Sequence, residues 1–215
     1  MLKLYTYFRS SAAYRVRIAL NLKGLPWEAV PVHLVREGGQ QNQPAYRAKS
    51  PLGTVPTLET DEGTFTQSLA IIEYLEETHP QPALLPASAE SRARVRAIAQ
   101  TIACDIHPLN NLRVLGYLGR EFAATQEQKD VWYRHWVREG LLAVEKLLAS
   151  DPRTGTFCHR NTPGLADCCL VPQVFNARRF HCPLDDMPTI RRVVEACEQL
   201  PAFQNAAPAV QPDAE

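Results

Sequence analysis

The sequence predicts a small α/β domain followed by an all-helical domain. Strand-like and helix-like patterns alternate over the first eighty residues, only helix-like patterns follow, and the proline-rich stretch Pro80–Pro86 separates the two regions. We therefore expect domains at residues 1–80 and 88–215, joined by a linker at residues 81–87. A chain of 215 residues is long enough for two small domains.

The composition excludes several classes of protein. The 23 basic residues balance the 23 acidic ones, so the surface has no overall charge that would attract nucleic acid or an anionic membrane. No apolar run approaches the roughly 20 residues that span a bilayer. The six cysteines form no CxxC pair. We expect a cytoplasmic protein with reduced thiols, without a metal site and without a nucleic-acid or membrane partner.

The first domain begins with a strand, a helix and a second strand. Leu2–Tyr7 is short, apolar and aromatic, which is typical of a buried strand. From Ala13 to Lys23 apolar residues recur at helical spacing, and Gly24 follows as a stop signal. The pattern of Glu28–His33 predicts the second strand.

A hairpin and a second helix complete this domain. Thr57–Glu59 and Thr64–Thr66 flank Asp61-Glu62-Gly63, a sequence that favours a turn between two strands. Ser68–Thr78 is predicted to be a helix, and Gly38–Ala48 to be a loop with a short helix. The domain should therefore contain one mixed sheet.

The second domain is predicted to be a helical bundle without strands. Its helical patterns cover about Ser91–Leu118, Gln126–Ala149, Leu165–Phe180 and Pro188–Glu198.

Serines occupy the turn between the first strand and the first helix. Ser10 and Ser11 follow Arg9 there, and the free amides and dipole of a helix N-terminus favour an anion such as a thiolate. Alternatively, Ser10 or Ser11 only caps the helix, as serine often does.

Two further turns carry candidate ligand-binding residues. Val55 precedes Pro56 at the third strand, where a cis bond would turn the Val55 backbone towards an extended ligand, although a trans turn proline is the simpler interpretation. Gln67 and Ser68 open the helix after the hairpin. The amides there can hold a carboxylate, or Ser68 only caps the helix.

The helical domain carries two groups of polar candidates. His107, Asn111 and Arg113 could share one face of a long helix that an internal proline bends, and a solvated face is the alternative. Arg178 and Arg179, near the end of a later helix, suit bidentate binding of carboxylates or form an ordinary surface pair.

These features together describe a thioredoxin-like α/β domain joined to a helical bundle, an arrangement that resembles the soluble glutathione transferases. Four stretches resemble the zeta class of that family, the maleylacetoacetate isomerases: Ser10–Leu20, Gly38–Gln41, Gln67–Glu77 and Leu170–Val174. Ala12 stands where the family motif has a cysteine, and Gly164 stands where Ser or Thr normally caps a helix. A glycine cap costs only a few tenths of a kcal/mol.

The resemblance implies glutathione as the cofactor. Ser10 and Ser11 are expected to face its sulfur, with Ser10 as the main stabiliser of the thiolate. The other expected glutathione-binding residues are Gln41, Val55, a cis Pro56, Gln67, Ser68, His107, Asn111, Leu112 and Arg113. Arg9 and Arg179, with Arg178 as a further candidate, are expected to bind the carboxylates of a maleyl keto acid.

The resemblance also implies a homodimer that isomerises maleylacetoacetate from cis to trans in aromatic catabolism. Because glutathione supplies the thiol, the activity is expected to survive the replacement of the motif cysteine by Ala12. Maleylpyruvate is an alternative substrate, since Cys104–Arg113 resembles bacterial enzymes of both activities. A general glutathione transferase that also dehalogenates α-halo acids is a second alternative, and a non-catalytic binding module of this fold is a third.

Overall fold

The computed structural model describes all 215 residues and divides the chain into two compact units. One unit comprises Met1–Leu84 together with Glu198–Glu215, and the other comprises Leu85–Cys197. The sequence pattern places the last eighteen residues in the helical domain, whereas the structure places them in the first unit. Arg17 and Asn21 explain the difference, because they donate hydrogen bonds to the carbonyl groups of Ala206 and Ala202, both at 3.0 Å.

The first unit contains the predicted mixed sheet. Its strands are β1 (Leu2–Thr6), β2 (Trp27–Pro31), β3 (Thr57–Glu59) and β4 (Thr64–Thr66), in the order β2-β1-β3-β4. Strand β2 is parallel to β1, and β3 and β4 are antiparallel to their neighbours. Leu4 of β1 lies opposite Leu58 of β3, and both side chains are fully buried.

Four helices accompany the sheet: α1 (Ser11–Leu22), α2 (Pro44–Arg47), α3 (Ser68–Thr78) and α9 (Pro201–Gln204). Helix α1 begins two residues before the periodic apolar pattern, because the Ser10 side chain caps it. Its residues from Ala13 to Leu20 are all buried, and it packs against both α3 and α9. The α9 segment was not predicted, since four residues carry too little periodicity.

The second unit is helical, as predicted. Its helices are α4 (Ala89–Gln100), α5 (Leu112–Glu121), α6 (Gln126–Ala149), α7 (Leu165–Arg179) and α8 (Pro188–Glu198). Helix α7 is buried almost throughout and packs against α4. None of the helices is both long and apolar enough to cross a membrane.

The predicted single helix from Ser91 to Leu118 is wrong. A π-helical segment follows α4 at Thr101–Ile106, and a 3₁₀ turn at His107–Asn110 separates it from α5. Pro108 lacks an N–H group and crowds the preceding turn, which favours a break in the regular helix at this position. Asn111 has an extended backbone and caps α5 with its side chain.

Candidate functional site

The turn between β1 and α1 contains the two candidate serines. The Ser10 side chain is the N-cap of α1, and its Oγ accepts a hydrogen bond from the Ala13 N–H at 3.2 Å. Ser10 is half-buried and Ser11 is buried. The capping interpretation therefore holds for Ser10. It leaves the Ser10 hydroxyl proton available, because the oxygen accepts in that bond and does not donate.

The Val55–Pro56 peptide bond is cis, as the family resemblance implies and contrary to the simpler interpretation. Val55 is buried in a small core cluster with Tyr7, Phe8 and Tyr46. The turn before β3 therefore packs beside the turn that carries Ser10.

The start of α3 contains a strained residue and a buried pair. Gln67 has a backbone φ of +69°, a region that residues other than glycine rarely adopt. Its side chain makes no capping hydrogen bond. Next to it, Ser68 Oγ accepts a hydrogen bond from Nη1 of the buried Arg15 of α1, at 3.2 Å. The first turn of α3 therefore combines amides without a side-chain cap and a guanidinium group, a combination suited to a carboxylate.

Gln41 lies in the loop between β2 and β3. Its Nε2 donates to the Leu34 carbonyl at 3.2 Å, whereas its Oε1 is buried without a hydrogen-bond partner. Gly39 has φ +92°, and a Cβ there would lie 2.5 Å from Gln41 Nε2. Glycine at this position therefore leaves room for the observed conformation of the Gln41 side chain. A buried carbonyl oxygen without a partner suits a ligand that brings an N–H group.

Arg9 is exposed beside the serines. Its guanidinium lies 4.7 Å from the centre of the Phe8 ring, and its Nη2 lies 3.9 Å from Glu215 Oε2. His33 and Arg36 also pair with the Glu215 carboxylate. Arg9 therefore already interacts with one carboxylate, that of Glu215.

The candidates between α4 and α5 do not share one helix face. His107 is half-buried at the start of the 3₁₀ turn, and Asn111 is the N-cap of α5, where its Oδ1 accepts from the Arg113 N–H at 3.1 Å. Leu112 and Arg113 are exposed in the first turn of α5. The shared-face prediction is corrected, since the helix is broken between His107 and Asn111.

Arg178 and Arg179 are exposed in the last turn of α7. The Arg179 guanidinium lies 4.9 Å from the Phe180 ring centre, and Phe180 stacks on Tyr133 with ring centres 3.7 Å apart. Burial raises the pKa of Tyr133, an effect that the nearby Arg179 charge opposes. Tyr133 is therefore neutral at physiological pH.

Two residues that contact the candidate site of the α/β unit were not predicted individually. Arg15 was noted only as part of a motif, although an arginine on the buried face of a helix signals a specific polar partner. Asp213 accepts a hydrogen bond from the Phe8 N–H at 2.9 Å, and no local pattern predicts this contact, which joins residues 205 positions apart.

Comparison with known proteins places the chain in a family. Residues 4–83 match the profile of the glutathione S-transferase N-terminal domain. The chain is 52% identical over 213 residues to maleylacetoacetate isomerase of Pseudomonas aeruginosa, with 99% of this chain and 98% of that protein covered. It is 50% identical over 212 residues to maleylpyruvate isomerase of a Ralstonia species, with 99% of both covered.

Solved structures agree with these relatives. A holo structure of maleylpyruvate isomerase, a bacterial zeta-class glutathione transferase, has a TM-score of 0.96 and 50% identity, with 99% of this chain and 100% of that chain covered. Maleylacetoacetate isomerase of Methylobacterium extorquens AM1, with bound malonate and glutathione, has a TM-score of 0.95 and 39% identity, with 99% of both chains covered. The chain belongs to the zeta class of glutathione transferases, the family of the maleylacetoacetate and maleylpyruvate isomerases.

Proposed function

We propose that this protein is a glutathione-dependent cis–trans isomerase that converts maleylacetoacetate to fumarylacetoacetate. The observation that carries the proposal is the geometry of Ser10. Its Oγ accepts the capping hydrogen bond of α1, so its O–H group remains able to donate a hydrogen bond to an anion. The full-length similarity to maleylacetoacetate isomerases supports the choice of reaction.

The start of α3 fits the γ-glutamyl carboxylate of glutathione. Amide groups at a helix N-terminus bind carboxylates, and the side chain of Gln67 leaves them uncapped. Ser68 Oγ accepts from Arg15, so its own proton remains available to a carboxylate oxygen. Gln67 and Ser68 are therefore proposed to hold this end of glutathione.

The remaining contacts in the first unit suit the rest of the tripeptide. The backbone of Val55, beside the cis Pro56, is proposed to pair with the cysteinyl residue. The Gln41 Oε1 atom, which is buried without a partner, fits an N–H group on the glycyl side. From the helical unit, we propose His107, Asn111, Leu112 and Arg113 as further glutathione contacts.

Glutathione, when bound, supplies a thiolate whose reversible addition to the cis double bond allows that bond to rotate. The Ser10 hydroxyl donates a hydrogen bond to the sulfur, and the dipole of α1 adds a favourable potential. Ser11 lies at the first position of the same helix and is proposed to assist. Both effects favour the ionised thiol, which is the nucleophilic form.

Arginines are proposed to bind the substrate. Arg9 and Arg179 each carry a guanidinium group near an aromatic ring, which restricts the orientation of the planar group. We assign the two substrate carboxylates to these residues, with Arg178 as a weaker contributor. Bidentate pairing would hold the maleyl group and stabilise the negative charge that develops during addition.

Maleylpyruvate is the second candidate substrate, because the Ralstonia relative at 50% identity is a maleylpyruvate isomerase. The test is an isomerisation assay on the purified protein with each substrate, in the presence and absence of glutathione. We expect glutathione-dependent turnover and a higher kcat/KM for maleylacetoacetate. A higher kcat/KM for maleylpyruvate would reverse the choice of substrate. Turnover without glutathione would refute the proposal that glutathione is the cofactor.

We further propose a homodimer that acts in the cytoplasm in aromatic catabolism. None of the six cysteines forms a disulfide, which fits a reducing compartment. Sedimentation equilibrium of the purified protein tests the dimer, and a mass equal to one chain would refute it.

A further inference from the structure

Phe8 is held through both of its backbone polar groups. Its N–H donates to Asp213 Oδ2 at 2.9 Å, and its carbonyl accepts from Arg17 Nη2 at 3.0 Å. Phe8 lies two residues before Ser10, the residue that caps α1. These two bonds therefore fix the position from which the Arg9–Ser11 segment starts.

Arg17 is one of the two residues that hold Phe8. It is fully buried, and it also bonds to the Thr6 hydroxyl, the Tyr7 carbonyl and the Ala206 carbonyl. Burial lowers its pKa to about 10, an effect that Tyr14 and Asp213 oppose. Arg17 is therefore still charged at neutral pH, and Asp213 is a nearby acidic group that favours that charge.

Asp213 is the second residue that holds Phe8. Its Oδ2 binds the Phe8 N–H, whereas its Oδ1 is buried without a hydrogen-bond partner. A buried carboxylate oxygen without a partner offsets much of the stability that the other oxygen contributes. We therefore expect loss of the Asp213 side chain to change the position of Phe8 more than the overall stability.

We propose that Asp213 is a positioning residue for Ser10. By holding the Phe8 N–H, it sets the direction in which the Ser10 hydroxyl meets the sulfur of bound glutathione. The inference rests on the proposed function only in requiring that glutathione binds with its sulfur at Ser10. It requires no particular maleyl substrate.

The test compares Asp213→Ala and Asp213→Asn with the parent protein. The readout is the pKa of the thiol of bound glutathione, followed by the ultraviolet absorbance of the thiolate at saturating glutathione. Gln211→Ala is the matched control, because Gln211 is a buried residue of the same segment whose side chain bonds to the carbonyl groups of Asn205 and Ala207 instead of to Phe8. Thermal unfolding is recorded for every variant.

Asp213→Ala is expected to raise the pKa of the bound thiol by about one unit, because loss of the Phe8 bond lets the Ser10 hydroxyl move away. The rate constant kcat should fall about tenfold. Asp213→Asn keeps an acceptor for the Phe8 N–H and should give a smaller shift in the same direction. Gln211→Ala should leave the thiol pKa unchanged while lowering Tm.

An Asp213→Ala variant with the parent's thiol pKa and kcat would overturn the inference. So would a Gln211→Ala variant that shifts the thiol pKa as far as Asp213→Ala does, since general order in the segment would then explain both. If Asp213→Ala does not fold, an unshifted Asp213→Asn variant overturns the inference. A parent protein that binds no glutathione would instead overturn the proposed function.

Discussion

Arg15 and Ser68 join the first helix of the α/β unit to the third. Nη1 of Arg15 donates to Ser68 Oγ at 3.2 Å, and the two residues are only 2% and 6% exposed. Ser68 is also the first residue of α3, where the backbone amides have no side-chain cap. This buried bond therefore helps to place a positive charge behind the proposed carboxylate site.

Ser68→Ala is expected to weaken glutathione binding about tenfold to a hundredfold. The change removes a hydroxyl from a charged hydrogen-bond network, and such bonds contribute about 1.5–3 kcal/mol. Isothermal titration calorimetry measures the effect. Ser150→Ala is the control, since Ser150 is an exposed residue of the other unit whose hydroxyl donates to the Lys146 carbonyl. Parent-like affinity in Ser68→Ala would contradict the assignment.

Ser10→Ala separates capping from catalysis when it is paired with Ser88→Ala. Ser88 caps α4 in the same way as Ser10 caps α1, each accepting an N–H at 3.2 Å. Both changes should lower the free energy of unfolding by about 1 kcal/mol. Only Ser10→Ala should lower kcat/KM, by about tenfold or more. Equal kcat/KM values in the two variants would show that Ser10 is only a cap.

Arg179→Met is expected to raise KM for the maleyl substrate while leaving the affinity for glutathione unchanged. Methionine keeps much of the side-chain volume and removes the guanidinium, so the loss reports on the carboxylate contact. Steady-state kinetics at saturating glutathione provide the measurement. Arg178→Met should have a smaller effect, because the Arg179 guanidinium lies beside the Phe180 ring, which restricts its orientation for the carboxylate. The reverse order would move the assignment to Arg178.

Asp151 gives a prediction for stability against pH. The Arg153 guanidinium, with Arg94, holds the pKa of Asp151 well below its usual value of 3.8. A group whose pKa is lower in the folded state contributes stability above the unfolded pKa and loses it as the pH falls towards the folded one. Asp151→Asn should therefore lower Tm at pH 7, and its difference from the parent should shrink below about pH 4.

The control for this change is Asp185→Asn, since the Asp185 side chain is 98% exposed and lies 3.9 Å from its nearest cation. Its Tm should match that of the parent at pH 7. A difference for Asp151→Asn that persists undiminished at low pH would contradict the proposed linkage.

The sequence predicts the regular parts of the fold because their signals are local. The hairpin strands Thr57–Glu59 and Thr64–Thr66 and the helix Gln126–Ala149 have the predicted bounds, since turn residues and long apolar periodicity define each of them. The break at Pro108 was predicted only as a bend. A helical pattern on both sides does not reveal that Asn111 caps a new helix.

The site was less predictable because its key contacts join distant positions. Ser10 was recognised as a candidate from its place before a helix. The bond from Arg15 to Ser68 spans 53 positions and that from Phe8 to Asp213 spans 205. Only the fold brings these residues together. The placement of residues 198–215 with the α/β unit was missed for the same reason, since it depends on bonds from Arg17 and Asn21.

The central claim is that the free sulfur of glutathione, held at Ser10, performs the isomerisation. The most direct measurement compares turnover of maleylacetoacetate with glutathione and with S-methylglutathione, which keeps the peptide but has no ionisable thiol. The account predicts turnover with glutathione alone and competitive inhibition by the methylated analogue. Comparable turnover with both compounds would contradict it.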